Sequence, residues 1–225
     1  MKKPTLTEVP SVNAYKKVLV HGPSGAGKTR FASTFPKPVF LDIEGGTSSI
    51  DKSLGVQVIS KEQLNSRHAV SEIIDWLFTS EADQFETVVI DSLTHLQNVS
   101  LNEDKGIPNQ MQAYGNWIKW LRENGDKLFS LKKNVVIIAR SKSGEDIEGA
   151  EQLIPELSPG AFSLIPALVD YALVVAKKTS GLGANKKVET KLYTLHPRYY
   201  TKVRGEVPVE LEPTFDAFNN ALKSN

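Results

Sequence analysis

Cysteine is absent from this 225-residue chain, which excludes disulfides and thiolate metal sites and suits a reducing compartment. Long apolar runs are missing too. None approaches the roughly 20 residues that cross a bilayer, and the opening MKKPTLTEVP lacks the apolar run of a signal peptide. Neither sign of charge dominates: 27 Lys and Arg face 26 Asp and Glu, so the total argues neither for nor against nucleic acid, and function must come from local sites. The four histidines show no metal-ligand spacing, so no zinc is expected, and neither an internal repeat nor a low-complexity segment is found. What is present is an ordinary globular make-up, 40% hydrophobic and 24% charged, with enough length for one substantial core. The expectation is a soluble, cytoplasmic protein with no membrane partner: an irregular arm over residues 1–14, which has two prolines and no apolar period, then a single domain over 15–225.

Along the chain, short apolar runs alternate with helical patterns. KVLVH (17–21), PVFLDIE (38–44), GVQVIS (55–60), ETVVIDS (86–92) and NVVIIAR (134–140) read as strands. Between them, KTRFASTF (28–35), residues 62–80 and residues 114–133 carry helical spacing. This order predicts an α/β fold with a mainly parallel central sheet flanked by helices. The last third differs: VDYALVVAKK (169–178), KKVETKLYTLH (186–196) and RYYTKVRG (198–205) are spaced as antiparallel edge strands, the first two joined by the turn TSGLGAN. Residues 141–162 read as a long polar loop. Trp117, with Leu121 and Leu128, reads as a core face, and His21 as a hydrogen-bonded packing residue.

One stretch carries chemistry. Gly22, Pro23, Ser24, Gly25, Ala26, Gly27, Lys28 and Thr29 fit G-x-x-x-x-G-K-[ST] without a mismatch, between a predicted strand and a predicted helix. Glycines there let backbone N–H groups turn inward around phosphate oxygens, at the end of a helix whose free donors face the same anion. Lys28 is placed to reach the β- and γ-phosphates, and the Thr29 hydroxyl to ligate magnesium. Asp91 ends an apolar strand at the edge where open α/β sheets bind ligands, and is the second candidate for the magnesium site. Hydrolysis also needs a group that orients or deprotonates water. The residue after Asp91 is Ser92, so the base must come from elsewhere. Glu44, with Asp42 two residues earlier, closes the strand after the phosphate-loop helix; it is either the base or the head of an EGG turn.

Here the sequence resembles the RecA-like recombinase ATPases, in which an acid-x-glutamate strand end supplies the catalytic glutamate. More closely, HGPSGAGKTRFASTFPKPVFLDIEGGT is similar to the small phage-encoded nucleotide-binding proteins, single-domain RecA-like ATPases associated with single-strand annealing and recombination. The resemblance spans about residues 15–205, with its specific motifs before residue 95. It implies a RecA-like P-loop NTPase fold, ATP as substrate, Mg²⁺ as cofactor, Glu44 as base, a homo-oligomer and single-stranded DNA as partner. Where RecA-like proteins carry a glutamine or histidine sensor, this chain has Arg140, which donates but cannot accept, and so is either a phosphate contact or a structural ion pair. The segment after it, where RecA-like proteins grip DNA, holds Glu145, Asp146, Glu148 and Glu151 against Lys142 alone, a balance unlike a phosphate groove. Lys202 and Arg204 match the K-x-R pair that such assemblies place at a subunit boundary to reach a neighbour's γ-phosphate; the plainer reading is an edge strand with protective charges.

The reading is a magnesium-dependent ATPase coupled to single-stranded DNA in an assembly. The alternatives are a nucleotide-gated interaction protein with weak hydrolysis, which the acidic segment favours, and a small-molecule or nucleotide kinase, for which no arginine-rich lid is evident. No N-K-x-D motif reads a base, which leaves ATP and GTP undistinguished.

Overall fold

The computed structural model describes residues 15–181 and 186–223; the arm expected over 1–14 and most of the turn expected over 179–185 lie outside the described residues. Six parallel strands build the sheet: β1 (Lys17–Gly22), β2 (Pro38–Asp42), β3 (Gln57–Ile59), β4 (Thr87–Asp91), β5 (Asn134–Glu145) and β7 (Tyr171–Ser180). Their spatial order is β3-β2-β4-β5-β1-β7, and β8 (Lys187–Tyr193) and β9 (Glu210–Leu211) extend the β7 edge antiparallel. The register sets Asp42 beside Asp91 and Gly22 beside Arg140, all at the carboxyl end of the sheet. That alignment brings the candidate residues into one row.

The central strands read as unbroken apolar runs because helices cover both faces. On one face Leu19, Leu41, Ile90 and Ile137 pack with Trp117 and Leu121 of α4 (Gln110–Ser130) and with α2 (Arg67–Trp76), α3 (Leu93–Glu103) and α5 (Pro159–Leu168). On the other, Val18, Val20, Val89 and Val136 meet Phe31 of α1 (Lys28–Ser33) and Phe218 of α6 (Phe215–Lys223). Trp117 is completely buried, the core position its spacing predicts. No helix among the described residues is long and apolar enough to cross a membrane.

Three expectations need correction. The helix predicted over 62–80 breaks into a 3₁₀ turn, α2 and a second 3₁₀ segment, because the Ser66 hydroxyl caps the Ala69 N–H and starts the α-helix there. Instead of a long loop after Arg140, β5 runs on to Glu145 and folds back as β6 (Glu151–Pro155). Asp146 closes the turn, its carboxylate accepting from the N–H groups of Glu148 and Ala150. Finally, 198–205 is not a strand. β8 occupies the flank of β7 from Val174 onward, so this segment keeps only single bridges, Lys202 with Ala172 and Tyr199 with Leu153. The alternation that would put Lys202 and Arg204 on one strand face is therefore absent.

Candidate nucleotide-binding site

At the carboxyl end of β1 the chain leaves the sheet through Gly22, where an added Cβ would lie 2.2 Å from the carbonyl oxygen of Val175 on the neighbouring β7. Only glycine fits that approach. Gly27, at φ +103°, turns the backbone into α1 in a conformation that side chains disfavour. Between them the loop opens onto a cleft of about 450 Å³ lined by Ser24, Gly25, Gly27, Lys28, Thr29, Arg30, Glu44, Gly46, Ser49 and Asp91. This falls within the usual size for small-molecule sites, roughly 300–1,000 Å³.

Lys28 folds back over its own loop, Nζ donating to the carbonyls of Gly22 and Pro23, both at 2.9 Å. Burial holds its pKa below the ordinary lysine value, against the pull of Asp91 and Glu44. The Thr29 hydroxyl donates to Asp91 Oδ2 at 2.7 Å, joining the first turn of α1 to the end of β4. Burial pushes the Asp91 carboxyl up to about 6, and the charges of Glu44 and Asp42 add to the rise against the Thr29 hydrogen bond. Asp42 is spent on structure: its carboxylate accepts from the N–H groups of Gly45, Gly46 and Thr47 and from the Thr47 hydroxyl, fixing the wall that carries Glu44.

Glu44 has partners on both oxygens. Arg140 NH2 donates to Oε1 at 2.8 Å; the Ser92 hydroxyl donates to Oε2 at 3.1 Å, and His95 Nδ1 lies 3.2 Å from the same oxygen. Burial alone would raise its pKa, but Arg140, His95 and Ser92 together hold the carboxyl below the usual range. Neither Ser92 nor His95 carries a functional role on sequence grounds. Their signal was the spacing in DSLTH, a helix cap and the residue three beyond it, which places both at the mouth of α3 directly after Asp91. Of the two readings of Arg140, the ion pair is formed, while its Nε is buried without a partner.

Other candidates lie elsewhere. Lys142 sits on the β5–β6 hairpin, Nζ donating to the Leu157 carbonyl. Lys202 Nζ donates to the carbonyls of Pro166 and Val169 at the end of α5, and Arg204 pairs with Asp170 at 2.9 Å; neither lines the cleft.

Comparison with known proteins adds one decisive fact. A family model described as an AAA domain matches residues 14–205. The chain belongs to that AAA domain family. Among solved structures it is similar to the KaiC-like protein PH0186 from the hyperthermophilic archaeon Pyrococcus horikoshii OT3, at 12% identity and a TM-score of 0.45, with 79% of this chain and 77% of that chain covered. No curated protein matches it. As an AAA domain it is a P-loop ATPase domain, and its sheet is mainly parallel with an antiparallel edge, β5 lying between the phosphate-loop strand β1 and the Asp91 strand β4.

Directly before the phosphate loop of this AAA domain, His21 is fully buried, Nδ1 lying 2.8 Å from the Ser141 hydroxyl and Nε2 2.8 Å from the Tyr200 carbonyl. The carbonyl can only accept, so Nε2 carries the proton and Nδ1 accepts from Ser141. Burial lowers its pKa from 6.5 to about 4, outweighing the Tyr200 bond. Between those values the unfolded chain binds a proton that the folded chain refuses. The stability from neutral His21 is thus whole above pH 6.5 and falls away toward pH 4, by roughly 3 kcal/mol. A His21→Gln chain lacks that slope. Urea midpoints at pH 7.5 and 4.5 are expected to show the gap between the two chains narrowing by about 2 to 3 kcal/mol in acid; a constant gap rules this out.

Proposed function

We propose that this AAA domain binds a magnesium–ATP complex in the cleft and hydrolyses it. The observation that carries the reading is convergence: Lys28, Thr29, Asp91 and Glu44, contributed by α1, β4 and the turn after β2, line one cleft. The loop Gly22–Thr29 cradles the phosphates with its main-chain N–H groups, Pro23 excepted, and Lys28 gives up its two carbonyls for phosphate oxygens. The Thr29 hydroxyl and the Asp91 carboxylate are oxygen donors suited to a hard cation, and a carboxyl pushed up to about 6 by burial and neighbouring carboxylates is stabilised by added positive charge. Bound magnesium supplies charge neutralisation for the phosphate oxygens. Glu44, ionised at neutral pH, orients the attacking water and takes its proton. Arg140, its side chain 42% exposed and paired with Glu44 outside the cleft lining, is the further phosphate contact of this reading.

Calorimetry and phosphate release test this together. Heat of association with magnesium–ATP and steady phosphate production are expected; no heat with any magnesium–nucleoside triphosphate ends the reading. The finer part is an assembly coupled to single-stranded DNA, with Lys142 at the DNA. Arg204, 62% exposed, is better placed to reach a neighbour than Lys202, which is tied within its own chain. A rate that rises with protein concentration and with single-stranded DNA supports that coupling, and a rate indifferent to both removes it. A second reading, nucleotide-gated partner binding with little turnover, is favoured by the β5–β6 hairpin, whose acidic turn carries the fully exposed Ile147.

A further inference from the structure

The geometry points to His95 as a positioning residue for Glu44, acting as a neutral Nδ1–H tautomer wedged between the carboxylate and Arg140; this rests on Glu44 being the base. Arg140 NH2 lies 3.3 Å from His95 Nε2 and 2.8 Å from Glu44 Oε1. A guanidinium nitrogen has only protons to offer, so Nε2 must be the accepting atom. The ring proton then sits on Nδ1, which lies 3.2 Å from Glu44 Oε2 and 3.1 Å from the Ser92 hydroxyl.

The opposite tautomer would fail at both ends. It would turn an N–H toward the Arg140 N–H and a lone pair toward a carboxylate oxygen. The Ser92 hydroxyl completes the arrangement: it accepts from the His95 backbone N–H at 3.3 Å and spends its own proton on Oε2. Oε2 is therefore held by two donors from the mouth of α3, Oε1 by one from β5, and the plane of the carboxylate is set from both sides. All three side chains are partly exposed, His95 at 29%, Glu44 at 30% and Arg140 at 42%, so the cluster is an orienting device at the cleft wall rather than a buried core network.

His95 itself does not line the cleft. Its loss should therefore spare nucleotide binding and misalign the carboxylate, a displacement that costs about 10²-fold when it reaches 1 Å. We expect His95→Ala to lower kcat about 10- to 100-fold with KM within about twofold of wild type. His95→Asn, whose amide N–H can occupy the place of Nδ1–H, should recover turnover to within about fivefold, while His95→Gln, whose amide extends to the Nε2 position, should not. Nitrogen NMR of ¹⁵N-histidine protein reads the tautomer directly: Nδ1 protonated and Nε2 bare for His95.

An Nε2–H tautomer, an unchanged kcat in His95→Ala, or equal rescue by Asn and Gln overturns the inference. Glu44→Gln in the same assay separates the two levels. If it turns over like wild type, the assignment of Glu44 as base has failed; if it is dead while His95→Ala is fully active, only the role of His95 has.

Discussion

Lys28→Ala is expected to abolish high-affinity nucleotide binding and to lower kcat/KM by about 10²- to 10³-fold, some 3 to 4 kcal/mol of transition-state stabilisation. The size of the effect follows from where the ammonium sits. It is partly buried, its charge already disfavoured by desolvation, and held at the mouth of the loop by two carbonyls that a phosphate can replace. Alanine removes that positive charge from a cleft whose remaining side chains include Glu44 and Asp91, leaving a triphosphate facing carboxylates. The fold should hardly notice. Lys28 makes hydrogen bonds only to carbonyls at the open end of the loop, which water can satisfy, so the melting temperature should stay within a few degrees of wild type. Titration calorimetry together with thermal melts checks both halves. A well-folded Lys28→Ala chain that binds magnesium–ATP normally defeats the phosphate-loop assignment.

Glu44→Gln is expected to do the reverse: binding persists and turnover falls by about 10²- to 10⁴-fold, the contribution usual for a positioned base. The amide keeps the shape and still offers an oxygen to Arg140, but it cannot accept a proton from water. Glu44 and its charged partner Arg140 are partly exposed, so exchanging its charge should alter stability by no more than about 1 kcal/mol. Single-turnover phosphate release on saturated protein measures the chemical step alone. Wild-type rates there would move the base elsewhere and favour the nucleotide-gated reading. Because Lys28 and Glu44 line one cleft, their effects on turnover should not add in the double variant.

The contrast between these residues shows how unevenly the site was legible. Lys28 and Thr29 are declared by an eight-residue motif, since the backbone geometry that cradles phosphate demands glycine at fixed places. Asp91 was legible by position, at the end of an apolar strand. Glu44 needed a family resemblance. Ser92 and His95 show only a helix-cap spacing; their role depends on Glu44 and Arg140, which are 48 or more residues away from Ser92 and 45 or more from His95 along the chain. The misread 198–205 segment fails for a related reason: its alternation is that of a strand, but β8 already holds the adjacent edge. Local pattern cannot register competition for a pairing partner.

The amino-acid order by itself determined the α/β class, the burial of the central strands and the phosphate loop, because each is written in spacing over a few consecutive residues. Only the tertiary structure decided which carboxylate spends itself on a loop and which keeps partners beside the cleft. Asp42 and Glu44 stand two residues apart with the same charge, yet one is saturated by backbone N–H groups of its own turn and the other is gripped by α3 and β5. Hydrogen-bond partners set the task of a carboxylate, and those partners come from segments that only the parallel sheet register brings together.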